Sequence, residues 1–129
     1  MKNPEKISEA EWKVMHVLWK NGRLSSNDVV AEVVPETGWS PNTVRTLLNR
    51  LTDKGVLQAE KERGKEKEYP LCFYTPFYTR EECEAIHTRT FLEKVFEGDA
   101  SRLLAHFVRE MSLTPEQIVE LRKKLEELQ

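Results

Sequence analysis

Residues 39–55, WSPNTVRTLLNRLTDKG, constrain the fold more than any other stretch of this chain. Ser40 is of the type that accepts the orphan backbone N–H groups of a helix start, and Pro41 is preset for the first helical position. Trp39 can staple onto Val44, and Val44, Leu47, Leu48 and Leu51 recur at intervals of three and four, so one stripe of the helix is buried. Gly55 supplies the left-handed residue that stops it. The opposite face carries Asn42, Thr43, Arg45, Thr46, Asn49 and Arg50, and the only acid on it is Asp53 at the far end. A solvated face usually mixes Glu with Lys. Arg can instead donate two hydrogen bonds to a guanine edge, Asn can pair with adenine, and a Thr methyl can meet a thymine methyl. The face is that of a helix that reads a DNA groove.

The flanking segments complete a domain around this helix. Ser8 and Glu11 stand at capping-box spacing, which predicts a first helix over about 8–20 with Ala10, Val14, Val17 and Leu18 inward, widened by Trp12, Met15 and Trp19, and stopped by Asn21 and Gly22. Ser25 is expected to cap a short second helix with Val29, Val30 and Val33 inward, ending before Pro35. Beyond Gly55, residues 56–61 read as a strand, Arg63-Gly64-Lys65 as a turn and residues 68–74 as the returning strand. A hairpin directly after a third helix is the wing of a winged helix. Between residues 60 and 68 the acids hold even positions, and Lys61, Arg63, Lys65 and Lys67 hold odd ones. In an extended arm that alternation separates the signs onto opposite faces. The basic face can meet phosphates, and the same residues also fit a solvated charged loop.

From Thr79 onward the pattern is helical. Thr79 and Glu82 repeat the capping-box spacing before a long helix with Ile86, Phe91, Leu92, Val95 and Phe96, ended by Gly98. Asp99 caps a helix carrying Leu103, Leu104, Phe107, Val108 and Met111. Thr114, Pro115 and Gln117 start a last helix with Ile118, Leu121, Leu125 and Leu128 on one face. Three amphipathic helices of this length have little else to cover them, and self-association is the simplest remedy. The expected dimerisation residues are Phe91, Leu92, Val95, Leu103, Leu104, Phe107, Val108, Leu121 and Leu125.

Charge and cysteine content narrow the function. The net charge is −2, but residues 1–80 hold 13 Lys and Arg against 11 Asp and Glu, whereas residues 81–129 hold 7 against 11. That asymmetry is mild, and DNA binding depends on where the positive groups sit rather than on their total. Two cysteines, Cys72 and Cys83, exclude a disulfide framework. Cys83 and His87, four apart on one helix, could hold a metal or an activated thiolate; two ligands do not close a zinc site, although a dimer could supply four. His16 and His106 have no partners suggesting a catalytic set, and no phosphate-binding Gly-rich loop, HExxH or serine nucleophile elbow occurs. The expectation is a protein that is not an enzyme, with no cofactor and no metal. No apolar run reaches membrane-spanning length, and residues 1–6 have no signal-peptide character, which predicts a cytoplasmic chain without direct membrane association.

With these segments in place, the sequence resembles the penicillinase and methicillin-resistance repressor family (BlaI/MecI type) over nearly its whole length. The residues that carry the resemblance are ISEAEWKVMHVLW, SPNTVRTLLNRLTDKGVL and FLEKVFEGD. It implies a homodimer that represses transcription from pseudo-palindromic operators, with Thr43, Arg45, Thr46 and Arg50 on the operator. It also implies release by proteolysis in the dimerisation region, triggered through a membrane-bound sensor metalloprotease. The matching bond here is His106–Phe107, with His106 where the family has Asn. Phe107 also reads simply as a dimer-core aromatic. The tail, KKLEELQ, lacks the paired CxC motifs of a related copper-sensing branch.

The expected fold is mainly α: a winged helix-turn-helix with a small β-hairpin wing over residues 1–77, and a C-terminal helical dimerisation domain over 78–129. The expected DNA-binding residues are Asn42, Thr43, Arg45, Thr46, Asn49, Arg50, Lys61, Arg63 and Lys65. Two rival readings stay open at this level. One is the same repressor fold released by a metal or redox signal at Cys72, Cys83 and His87. The other is a winged-helix module that binds a protein instead of a groove.

Overall fold

A computed structural model of the chain describes residues 2–62 and 71–128. The elements run α1 (Glu9–Asn21), β1 (Leu24–Ser25), α2 (Ser26–Thr37), α3 (Pro41–Asp53), β2 (Leu57–Glu62), β3 (Leu71–Pro76), α4 (Arg80–Phe96), α5 (Ala100–Glu110) and α6 (Pro115–Glu127). They fall into two compact units, Met1–Thr88 and Arg89–Gln129, divided within α4. The three-helix core followed by a hairpin is the winged-helix arrangement expected from the sequence.

The helix starts are where short-range chemistry puts them. The Ser8 hydroxyl accepts from the Glu11 N–H and the Glu11 carboxylate accepts from the Ser8 N–H, closing the expected box. Ser25 and Ser40 each accept from the N–H three residues on, and Thr79 with Glu82 and Thr114 with Gln117 form two further reciprocal boxes. Each cap satisfies donors that a helix start otherwise leaves to water.

Three local expectations need correction. The buried face of α1 is Glu11, Val14, Met15 and Leu18, while Ala10 and Val17 lie at its edge. The spacing 11, 14, 15, 18 is a single helical stripe, and the charge on Glu11 concealed its centre. Pro35 does not end α2. It sits in the last turn, exposed, where the hydrogen bond it cannot donate is on the solvent side, and the helix runs on to a left-handed Gly38 at φ 73°. The sheet has three strands rather than a hairpin alone, in the order β1-β3-β2, because Leu24 and Ser25 pair with Tyr74 and Phe73. Two residues are too few to show a period of two.

The first core packs Val14, Met15 and Leu18 of α1, Val29 and Val33 of α2, and Val44, Leu47, Leu48 and Leu51 of α3, with Val56, Leu57 and Tyr74 from the sheet side. Cys83 of α4 is also fully buried in it, so the first turns of α4 belong to this core. In the second unit the pattern reverses. Past Cys83, no described residue is buried.

Candidate nucleic-acid interface

The face of α3 opposite its buried stripe is open along its length. Asn42, Thr43, Arg45, Thr46, Asn49 and Arg50 are all exposed, while Val44, Leu48 and Leu51 are 0% exposed and Leu47 is 5%. The helix is therefore held from one side only. Ser40 and Thr43 hydroxyls lie 3.0 Å apart at its start, and the Thr46 hydroxyl donates back to the Asn42 carbonyl at 2.9 Å, which occupies its one donor. Arg45 donates from Nη2 to Asn27 Oδ1 of α2 at 3.3 Å. Among the described residues, the side chains of Asn49 and Arg50 make no hydrogen bond or ion pair.

The far end of α3 is anchored to α1 by a buried charge pair. Lys54 Nζ lies 2.6 Å from Glu11 Oε1, with the Glu11 side chain 2% exposed and that of Lys54 26%. Burial alone would push the Glu11 carboxyl up. The hydrogen bond from Lys54, those from the Ser8 backbone and hydroxyl, and the Lys54 charge outweigh it and hold the carboxyl below the ordinary glutamate range. Lys54 Nζ also donates to the Lys6 carbonyl, and the Lys54 carbonyl accepts from the Asn3 N–H at 2.7 Å. Gly55 then turns the chain at φ 74°, where a Cβ would lie 2.6 Å from the Lys2 side chain. A left-handed turn under a crossing segment requires glycine.

The wing separates charge as the alternation predicts, in the arm that is described. Residues directly opposite in an antiparallel pair share a face. Leu57, Ala59 and Lys61 pair with Pro76, Tyr74 and Cys72, so Lys61 shares the face of the buried Leu57 and Tyr74. Glu60 and Glu62 take the other face, where Arg23 meets them at 3.6 and 2.6 Å and stacks 4.2 Å above the Phe73 ring. The Arg63-Gly64-Lys65 turn, Lys67 and the first residues of the returning strand lie outside the described residues.

Cys83 is fully buried, and burial together with the Glu82 charge pushes its thiol up to about 11, so it is a neutral thiol at physiological pH. His87 Nε2 lies 2.7 Å from the Pro4 carbonyl, and its ring packs edge-on to Trp12. No group of three or more His, Cys, Asp or Glu among the described residues could hold a metal ion.

In the second unit, Phe91, Val95, Leu104, Phe107, Val108 and Leu125 are exposed, and Leu92, Leu103 and Leu121 are half-buried. His106 and Phe107 lie within α5, with the His106 ring 5.5 Å from that of Phe96. No described helix is long and apolar enough to cross a membrane.

Two residues of the first unit that bear on α3 and the wing were not singled out in the sequence: Asn27, which meets Arg45, and Arg23, which meets the wing. Both act across 18 residues or more. No local periodicity marks such pairs.

Comparison with known proteins gives one consistent result. The sequence profile of a family described as penicillinase repressor matches residues 7–127. The penicillinase repressor of Bacillus licheniformis is 34% identical over 127 residues, covering 98% of this chain and 94% of that protein. The methicillin resistance regulatory protein MecI of Staphylococcus aureus is 33% identical over 121 residues, covering 92% of each. The solution structure of the DNA-binding domain of the repressor BlaI matches 64% of this chain and 93% of that one, with 35% identity and a TM-score of 0.54.

Proposed function

Because the chain belongs to the penicillinase repressor family, we propose that it is a dimeric transcriptional repressor that reads pseudo-palindromic operator DNA with the open face of α3. The observation that carries this reading is the constellation Asn42, Thr43, Arg45, Thr46, Asn49 and Arg50, all exposed, with no acid before Asp53. Arg45 and Arg50 supply forks for guanine, Asn42 and Asn49 suit adenine, and the Thr46 methyl suits thymine. Lys61, and with it Arg63 and Lys65, contact phosphates from the wing. The reading places the repressor in the cytoplasm, with double-stranded DNA and a second copy of itself as partners.

The test is operator binding by fluorescence anisotropy across a salt series. Affinity should fall linearly in log–log form, with a slope of about −0.9 per phosphate neutralised. Arg45→Ala and Arg50→Ala should each weaken binding by about 1–3 kcal/mol, roughly five- to 150-fold. A wild-type protein that selects no sequence from a random duplex library would sink the reading and favour a winged helix that binds protein. Arg23→Ala should leave stability nearly unchanged, since exposed ion pairs contribute about 0–1 kcal/mol. It should nevertheless weaken operator binding severalfold, because Glu60 and Glu62 then stand unneutralised beside the wing's cations. Equal affinity of variant and wild type would exclude that role.

Dimerisation through the helical tail from residue 78 onward is part of the same proposal. The second unit, with no buried described residue of its own, exposes Phe91, Val95, Leu104, Phe107, Val108 and Leu125, and a second copy would cover them. Leu104→Asp should raise the concentration needed for half-dimerisation at least tenfold, read by analytical ultracentrifugation. An unchanged dissociation curve would exclude α5 from the contact. Release would follow cleavage of the His106–Phe107 bond in α5 by a membrane-bound sensor metalloprotease. An 11-residue helix is marginal without tertiary cover, so the bond becomes available when the dimer opens. A fragment ending at His106, weighed by mass spectrometry after induction, would support this route, and an intact chain would refute it.

A further inference from the structure

We propose that Asn27 is a positioning residue for the reading arginine Arg45, fixing its guanidinium over the groove before DNA arrives. The inference rests on the operator-reading role of α3 and adds a specificity-determining residue on a different helix.

Arg45 is long and unbranched, and its side chain carries about 2 kcal/mol of rotamer freedom that must be surrendered to grip a base. A guanidinium that waves in solvent loses that freedom on binding, whereas one already held gives up less. Asn27 is placed to hold it. Ser25 caps α2 and so sets Asn27 in the first turn, and the packing of α2 on α3 through Val29, Val33, Val44 and Leu48 brings that turn beside the second turn of α3. There Asn27 Oδ1 accepts from Arg45 Nη2 at 3.3 Å, and both residues are exposed at the face α3 offers to DNA.

The chemistry of the partner matters as much as its position. A carboxylate in its place would cancel the positive charge. A neutral amide oxygen accepts one of the five N–H groups and leaves the charge and four donors for a guanine edge. No ion pair joins Arg45 to a described carboxylate. The contact is too exposed to matter much for folding. Its consequence lies in recognition.

The experiment starts from a half-site duplex selected from a randomised library by the wild-type protein, with each base pair then substituted in turn and affinities read by anisotropy. Arg45→Ala identifies the base pair that Arg45 reads, as the position where discrimination collapses. Asn27→Ala is expected to weaken cognate binding about three- to tenfold. It should reduce discrimination at that same base pair and no other, and leave the salt slope unchanged. Asn27→Asp should weaken binding further and flatten the salt slope, because it neutralises the arginine. In an Arg45→Ala background, Asn27→Ala should add nothing.

A uniform loss across all base pairs, with discrimination at the Arg45 position intact, would mean that Asn27 contacts the DNA backbone itself, and would overturn the proposal. So would an Asn27→Ala effect that persists undiminished without Arg45, or no effect at all. If Arg45→Ala itself leaves binding unchanged, or no sequence is selected, the reading of α3 fails and the positioning role falls with it. If Arg45 behaves as expected and Asn27 does not, only the positioning role is lost.

Discussion

Lys54→Met is expected to destabilise the first unit by about 3 kcal/mol, read as a lowered urea midpoint in tryptophan fluorescence. The three tryptophans, Trp12, Trp19 and Trp39, all lie in that unit. Breaking a buried ion pair by removing one partner costs about 3–5 kcal/mol because the other charge is left stranded. The lower end applies here because Lys54 is partly exposed and Glu11 keeps its bonds to Ser8. Glu11 Oε2 already has no hydrogen-bond partner, so the stranded carboxylate has little else to turn to. Glu11→Gln together with Lys54→Met should recover most of the loss, since the amide keeps the helix cap and carries no charge.

The pair also sets a pH dependence. The Glu11 carboxyl is held below its ordinary range in the folded protein. Its contribution is therefore fully present above the unfolded pKa of about 4.3 and is lost as pH falls through the lower folded value. In Lys54→Met the carboxyl has lost its cation and burial dominates, so it takes up a proton more readily. The stability gap between variant and wild type should accordingly close on acidification. A gap that is constant from pH 7 to pH 4 would show that Lys54 acts by packing and not by charge.

Leu48→Ala is expected to cost about 2–5 kcal/mol, the range for emptying a fully buried leucine site. Leu48 is 0% exposed at the centre of the α3 stripe, where α1 and α2 meet it. The variant should lose operator binding at temperatures where the wild type retains it, with every exposed side chain of α3 still present. Asn49→Ala, one residue on and exposed, should change stability by no more than about 0.5 kcal/mol. The contrast between adjacent positions tests whether α3 is held from one side only. Similar losses at both would refute that arrangement.

The helix starts at Ser8, Ser25, Ser40 and Thr114 were legible in the sequence, because a cap acts over three residues and its partners are neighbours in the chain. The α3 stripe was legible for the same reason, since its period is a property of one helix. Pro35 was misread because the sequence shows the missing donor, but not that the affected turn faces solvent. The centre of the α1 face was misread because Glu11 is charged, and a charge counts as interior only once its partner is known. That partner, Lys54, is 43 residues away.

By itself, then, the sequence determined the winged helix, the exposed acid-free set from Asn42 to Arg50 and the resemblance to a repressor family. These rest on periodicity, capping and residue type, all of which act within a few positions. Only the tertiary structure decided that Glu11 and Lys54 lock the end of α3, that Arg23 holds the acidic face of the wing, and that Asn27 meets Arg45. Each of these pairs joins side chains from separate segments, and no short-range rule fixes which of them will meet. Their geometry exists only after the core of Val29, Val33, Val44, Leu48 and Tyr74 has closed and set the helices and the sheet at fixed separations.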